Sequence, residues 1–395
     1  MGKLVPQLRF KGFTDPWEQR KLSTCLTESV IPGHSGDQAK KLTVRLWGKG
    51  VVEKTTLQNG SSATQYYVRK SGQLMYGKLD FLHAAFGIVP QELDGYESTA
   101  DSPAFDIADD VDKEFVLQSC LRKELYLYQG SLADGSRKAK RVHSQTFLQM
   151  TANFPSLEEQ QKITELFRTM DDLIAAHERK LELLRLKKRY YLQQIFSRKL
   201  RFRGFTEPWQ QRKLGELYEK GRSGGTPNSE NRNYYGGNIP FLGISDLNGR
   251  YITNTSKHIT EMGLINSAAW LVPEGAISLA MYASVGKVGI LSQPMATSQA
   301  FFNMVFPSTI VRNYIFARLD KAALDSEWNK LVSTGTQSNL NAQKIKEWAA
   351  YSPRPSEQRI IGDLFLLIDE MIELQEEYLS LMGRLKENYL HALYC

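Results

Sequence analysis

The sequence predicts a mixed α/β (α+β) fold, built as a pseudo-twofold tandem repeat of two globular units, each followed by a long helix. Three observations carry this. Residues 8–22 read LRFKGFTDPWEQRKL and residues 200–214 read LRFRGFTEPWQQRKL, identical at twelve of fifteen positions at an offset of 192. Pro155-Ser156-Leu157-Glu158-Glu159-Gln160 is echoed by Pro355-Ser356-Glu357-Gln358, with an offset of 198 from Glu159 and Glu357 onward. Each of these second echoes opens a long stretch of helical periodicity. A period this long excludes a solenoid and implies a two-part molecule suited to a two-part target. The segments are 1–154, 155–198, 199–354 and 355–395.

In the first globular segment, Gln73-Leu74-Met75-Tyr76 and Phe86-Gly87-Ile88-Val89 read as strands between Gly, Asp and Pro clusters. In the second, Ile239-Pro240-Phe241-Leu242 and Gly275-Ala276-Ile277-Ser278-Leu279 read as short buried strands. Gly224-Gly225-Thr226-Pro227-Asn228 reads as a turn, and residues 314–332 as helical.

The first long helix has an apolar seam at Ile163, Leu166, Met170, Leu173, His177, Leu181 and Leu184. The second has Ile361, Leu364, Ile368, Met371, Gln375, Leu379 and Met382. Steps of three and four mark a coiled-coil seam, which must be buried, and the obvious partner of each helix is the other. About 38 residues make a rod of roughly 57 Å. Paired antiparallel, the helices place the globular units at opposite ends and bring the polar seam residues His177 and Gln375 together. Either that pair sets register at some cost in stability, or both side chains are partly exposed and neutral. Ser156 is a predicted N-cap with Glu159 completing a capping box; Ser356 is a predicted cap for the second helix, where Arg359 holds the box position.

The chain has 395 residues, 42% hydrophobic and 11% aromatic, which fits two to three folded domains. No apolar run approaches the roughly 18 residues of a membrane span, and MGKLVPQLRF has no signal core. Cys25, Cys120 and Cys395 form no CxxC pair, as expected in a reducing cytoplasm. The net charge of +7 fits either an anionic partner, nucleic acid first, or simply a basic soluble protein. No P-loop is present, since Gly286-Lys287 is followed by Val288, and there is no GxGxxG, HExxH or GxSxG. The six histidines show no metal-ligand spacing. Asp15-Pro16-Trp17 falls short of the Asn/Asp-Pro-Pro-aromatic tetrapeptide of adenine methyltransferases.

Taken together, the duplicated motifs resemble the specificity (S, HsdS) subunit of type I restriction-modification systems over essentially the whole chain. The resemblance rests on the repeated GFTxPW-x-QRKL segment and on the two helix openings, with Gln160, Ile163 and Phe167 in the first and Gln358, Ile361 and Phe365 in the second. The second unit adds Gly224-Gly225-Thr226-Pro227, Ser284-Val285-Gly286-Lys287-Val288-Gly289, Ala296-Thr297-Ser298-Gln299 and Gly335-Thr336-Gln337-Ser338-Asn339. The first unit departs from that pattern and resembles another target-recognition subtype through Tyr76-Gly77-Lys78-Leu79 and Phe86-Gly87-Ile88-Val89-Pro90.

The resemblance implies two target recognition domains, each reading one half of a bipartite double-stranded DNA site. It implies that the antiparallel helices set the unread spacer and, with the flanking segments, dock two methyltransferase subunits, the restriction-translocase subunits joining through the complex. S-adenosylmethionine is then expected on the methyltransferase partner, and no cofactor, metal or catalytic residue on this chain. The alternatives are a self-sufficient DNA methyltransferase or nuclease, and a coiled-coil adaptor with no DNA role.

Base readout needs Arg, Lys, Asn, Gln, Ser or Thr on exposed loops. The first unit offers Lys78 and the basic run Arg137, Lys138, Lys140 and Arg141, read as a phosphate clamp or as a solvated turn. The second offers the uncharged Gln337 and Asn339, together with Thr226, Ser284 and Gln299. Lys287 is read either as a phosphate contact or as a solvent-facing turn lysine. Two readers on one face of DNA sit roughly 34 Å apart, a scale compatible with the rod.

Overall fold

The structure, a computed structural model, describes residues 5–55, 61–132, 135, 136, 139–331 and 340–394, with backbone only at 135, 136, 139 and 140. The chain divides into two compact units: residues 1–175 with 381–395, and residues 176–380. Each unit therefore takes part of both long helices.

In the first unit, the repeated QRKL segment is strand β1 (Glu18–Lys21), followed by β2 (Leu26–Ser29). A short hairpin follows, β3 (Leu42–Val44) with β4 (Val51–Glu53). Strands β5 (Leu74–Tyr76), β6 (Phe86–Ile88) and β7 (Ala104–Ile107) complete a four-stranded sheet in the order β2-β7-β5-β6. Helix α1 (Lys113–Cys120) has Asp112 as its N-cap, the carboxylate accepting from Phe115 N. Strand β8 (Thr151–Phe154) pairs antiparallel with β1, Glu18 opposite Phe154, and leads directly into the first long helix, α2 (Leu157–Phe196).

The second unit repeats this plan. Strand β9 (Gln210–Lys213) is the second QRKL segment. Strands β10 (Lys220–Ser223), β11 (Tyr251–Ile252), β12 (Ile277–Ala280), β13 (Val288–Leu291) and β14 (Phe301–Val305) form a sheet ordered β10-β14-β12-β13-β11. Its first four places match β2-β7-β5-β6 strand for strand. Helix α3 spans Thr309–Leu324 with Ser308 as N-cap, so it starts earlier than the expected 314 and stops before Ser326, where φ is 54°. Strand β15 (Ala349–Ser352) pairs with β9 and leads into the second long helix, α4 (Pro355–Leu393).

One clamp explains why the LRF and P-S-x-E segments recur together. In the first unit, Arg9 grips the buried Glu159 carboxylate bidentately, at 2.9 and 2.6 Å, and donates to Asp15 O at 2.7 Å. In the second unit, Arg201 grips Glu357 at 3.1 and 2.7 Å and donates to Glu207 O at 2.8 Å. A bidentate guanidinium–carboxylate pair fixes both orientation and distance, so both partners must be kept together. The expected capping box is corrected by the same contact. Ser156 Oγ accepts from Glu159 N at 3.4 Å, but the Glu159 carboxylate is spent on Arg9. Ser356 is not a cap, because α4 begins one residue before it at Pro355, a first-turn position that suits proline.

Within each unit the segments of α2 and α4 run antiparallel. In the second unit, His177 meets Gln375, Lys188 meets Asp369, and the Phe196 and Phe365 rings stack 6.1 Å apart. In the first unit, Asp171 meets Lys386 and Phe167 faces Tyr394. The expected meeting of the two polar seam residues is thus observed: Gln375 is buried, its Nε2 contacts His177 Nδ1, and the His177 ring stacks on Tyr378 at 4.1 Å.

Most seam positions are buried or half-buried, among them Ile163, Met170, Leu181, Leu184, Ile361 and Ile368. Leu166, Leu364, Leu379 and Met382 are half-buried. Two expectations fail: Leu173 is 41% exposed and Met371 40%. A straight helix drifts by roughly 20° per heptad against a strict seven-residue repeat, so these positions rotate outward. Ile174 and Ile372 occupy half-buried places beside them. Among the described residues, no helix is long and apolar enough to cross a membrane.

Candidate nucleic-acid interface

In both units the candidate residues gather at the connection that follows the central strand of the sheet. In the first unit this is the loop between β5 and β6. Lys78 N donates to Asp101 O at 2.8 Å, and Val142 N donates to Lys78 O at 3.1 Å. Arg141 completes the cluster through an ion pair with the Asp101 carboxylate at 3.3 Å, both side chains being close to half exposed. Lys78 and Arg141, 63 positions apart in sequence, therefore share one surface.

Two buried side chains hold it there. Tyr76 is fully buried, and its hydroxyl donates to Val142 O at 3.0 Å. Arg69, 2% exposed, donates to Ser98 Oγ at 2.8 Å, Ser29 O at 2.9 Å and Ser102 O at 3.3 Å. Burial pulls the Arg69 pKa down to about 10, so it stays cationic at neutral pH. Sequence reasoning missed Arg69: an isolated arginine carries no periodic signal, and its partners are two backbone carbonyls and a serine hydroxyl. Of the basic run, Ala139–Lys140 pairs as a two-residue strand with Gly135–Ser136. Arg137 and Lys138 lie outside the described residues, as does the Lys140 side chain.

In the second unit, four backbone bonds tie four segments together. Gly224 N and Gly225 N donate to Phe301 O (3.0 Å) and Thr297 O (2.9 Å), Met281 N donates to Ala300 O (2.7 Å), and Leu340 N donates to Met281 O (3.2 Å). These bonds bring the loops of Thr226, Ser284 and Gln299 together, all three residues being exposed. Gly224 is required at the crossing, because a Cβ there would run into Thr297 and Ser298. Gln337 and Asn339 lie outside the described residues, although Leu340 anchors the end of their segment on the same cluster.

Below these loops is a fully buried polar chain. Ser278 Oγ donates to Asn303 Oδ1 at 2.7 Å, and Asn303 Nδ2 donates to Thr297 Oγ1 at 2.8 Å. A satisfied buried network of this kind rigidifies the strands that carry the loops.

The Ser284 loop is strained, with φ of 24° at Ala283 and 63° at Ser284. Gly286, φ 86°, packs so closely on the buried Trp328 that any Cβ would clash. Lys287 is exposed and lines a cavity of about 420 Å³ whose walls also carry Asp320, Asp369, Glu373 and Glu376. Those carboxylates compete with a phosphate for its charge. Arg250, missed by sequence reasoning, lines the same cavity and donates to Asp369 at 2.8 Å and Asn313 at 3.3 Å.

The two units thus carry loop clusters unlike in sequence on like-ordered sheets, and the same Arg–Glu clamp recurs at the start of each long helix. Residues 206–380 match the family model described as the type I restriction modification DNA specificity domain. The MjaIX type I restriction enzyme specificity subunit of Methanocaldococcus jannaschii is 29% identical over 181 residues, 45% of this chain and 41% of that one. The HindI specificity subunit of Haemophilus influenzae is 24% identical over 147 residues, 37% of this chain and 32% of that one. The chain thus spans less than half the length of either of these curated relatives.

Solved structures share the fold over nearly the full length. The S subunit of a type I restriction-modification system from M. genitalium superposes with a TM-score of 0.63 at 15% identity, covering 99% of both chains. HsdS from Thermoanaerobacter tengcongensis gives 0.51 at 17% identity, covering 96% of both. The chain is thus similar to type I restriction-modification specificity subunits, in sequence across residues 206–380 and in fold over nearly its whole length.

Proposed function

We propose that this chain is the non-catalytic DNA-reading subunit of a type I complex in the bacterial cytoplasm. Each unit reads one half of a bipartite duplex site through the loop cluster described above. The long helices set the spacer and dock two methyltransferase subunits, through which restriction subunits join; S-adenosylmethionine is bound by the methyltransferase. The observation that carries the reading is the contrast between scaffold and loops. The clamps Arg9–Glu159 and Arg201–Glu357 and the four-strand sheet order recur, while the loops bearing Lys78 and Arg141 have different chemistry from those bearing Thr226, Ser284 and Gln299. Repeated scaffold suits two copies of one partner, and divergent loops suit two unlike half-sites.

Docking is supported by a second apolar stripe on α4. Ile360, Leu367, Leu374 and Leu381 recur every seven residues and are 38%, 55%, 65% and 56% exposed, a spacing and exposure that fit partner helices. The test is reconstitution with the methyltransferase subunits followed by mapping of methylated sites. The expected outcome is a bipartite motif whose spacer lengthens when one helical turn is inserted after Leu181. Methyl transfer by the pure chain with labelled donor, or an unchanged spacer, would overturn the reading.

A further inference from the structure

The β3–β4 hairpin of the first unit carries a side chain that packing within that unit does not explain. Its tip reads Arg45-Leu46-Trp47-Gly48-Lys49-Gly50. Trp47 is 58% exposed and sits at φ 59°. A bulky residue in the left-handed region is a real outlier, and leaving an indole in water forgoes the stabilisation of burying it.

The conformation is imposed by its surroundings. Trp47 N donates to His83 O and Gly48 N to Ala84 O, both at 2.8 Å, and Arg45 N donates to Gly50 O at 2.9 Å. The Trp47 ring stands edge-on to His83 at 5.7 Å. Below the tip, Leu42, Val44 and Val51 are buried in the core, and Gly87 is needed because a Cβ there would strike Gly50. The tip is thus docked on the same β5–β6 connection that carries Lys78. Arg45 and Lys49 flank the indole and are exposed, and no acidic residue lies between Leu42 and Glu53.

We infer that Trp47 is an aromatic wedge that stacks at an opened base step of the duplex read by the first unit, with Arg45 and Lys49 on the flanking phosphates. The inference rests on the DNA-reading function proposed above. Charge decides between DNA and a protein as the occupant. Protein interface centres are depleted of charged residues, whereas a wedge flanked by cations suits a polyanion, and apolar wedges that part base steps are an established way of gripping a duplex.

The experiment uses the chain assembled with its methyltransferase subunits and a duplex carrying its mapped site, with 2-aminopurine placed in turn at each position of both half-sites. Besides the bases the methyltransferase subunits themselves flip out, wild-type complex is expected to raise fluorescence at one further step, in one half-site only. Trp47→Ala is expected to abolish that further rise alone, leaving the signal of the flipped bases, and to weaken binding on the order of 5- to 100-fold, with Trp47→Phe intermediate and mismatch discrimination in the other half-site unchanged. Wild-type fluorescence and affinity in the alanine variant would overturn the wedge. So would weakened subunit assembly with unchanged affinity per assembled complex, which assigns the indole to a protein interface. A wild-type complex that prefers no sequence would instead refute the DNA-reading function itself.

Discussion

Substituting Arg250 by Met tests whether burial, rather than the mere presence of an ion pair, secures the second unit. The repeat makes the comparison internal. Lys188–Asp369 and Lys386–Asp171 are the same helix-to-helix pair at an offset of 198. In the first unit the Asp171 side chain is 52% exposed. In the second, Asp369 is 8% exposed and also receives Arg250, itself 2% exposed and lying over the Phe316 ring at 4.3 Å. Lys188 is bound in turn by Asp320; burial lowers its pKa, but the two carboxylates outweigh that and raise it. Arg250→Met removes one cation from this balanced cluster. Breaking a buried pair costs about 3–5 kcal/mol, and because Asp369 keeps Lys188 the lower end, about 3 kcal/mol, is expected. Lys386→Met, at an exposed pair, should cost less than about 1 kcal/mol. The assay is urea titration of the full chain, read by hydrogen exchange in peptides of α3 and, separately, of α1. With a slope of about 2 kcal/mol/M, Arg250→Met should lower the α3 midpoint by about 1.5 M and leave α1 unmoved. Equal, small shifts for the two variants would refute the reasoning.

Two further expectations concern the seam and the thiols. Gln375→Leu alone strands His177 and should lower the melting temperature, whereas His177→Leu with Gln375→Leu should recover it or exceed the parent, since an apolar pair removes the buried polar cost. A thermal melt in which the double variant falls below the single would contradict this. Cys25 is buried, and desolvation lifts its thiol from its ordinary 9.0 to about 11. The folded state therefore holds this proton more tightly than the unfolded chain. Its contribution to stability is complete below pH 9 and is lost as pH rises toward 11. Cys25 and Cys120, the latter also pushed up by burial, should resist alkylation at neutral pH until the chain is unfolded, as peptide mass analysis would report.

Much of the scaffold was legible because its signals are local or periodic. The helix openings and the central strands Leu74–Tyr76 and Ile277–Ala280 fall where the sequence places them. The Arg9–Glu159 and Arg201–Glu357 clamps were within reach of sequence reasoning, since all four residues recur at repeat-equivalent places. The seam was legible in outline, and helix drift displaced only Leu173 and Met371.

The sequence by itself determined that the chain is duplicated, that each half pairs a mixed unit with a long helix, and that His177 and Gln375 are repeat-equivalent positions on the two seams. Identity at fixed offsets and apolar period need no coordinates. Tertiary structure alone decided which side chains meet. Lys78 and Arg141 converge on Asp101, Arg69 locks the loop beneath them, Arg250 reaches Asp369 across 119 positions, and Trp47 is held out from the hairpin tip. Such contacts depend on how sheet strands far apart in sequence pack against one another, and a pairing made once, with a backbone carbonyl or a single distant carboxylate, leaves no period in the sequence to read.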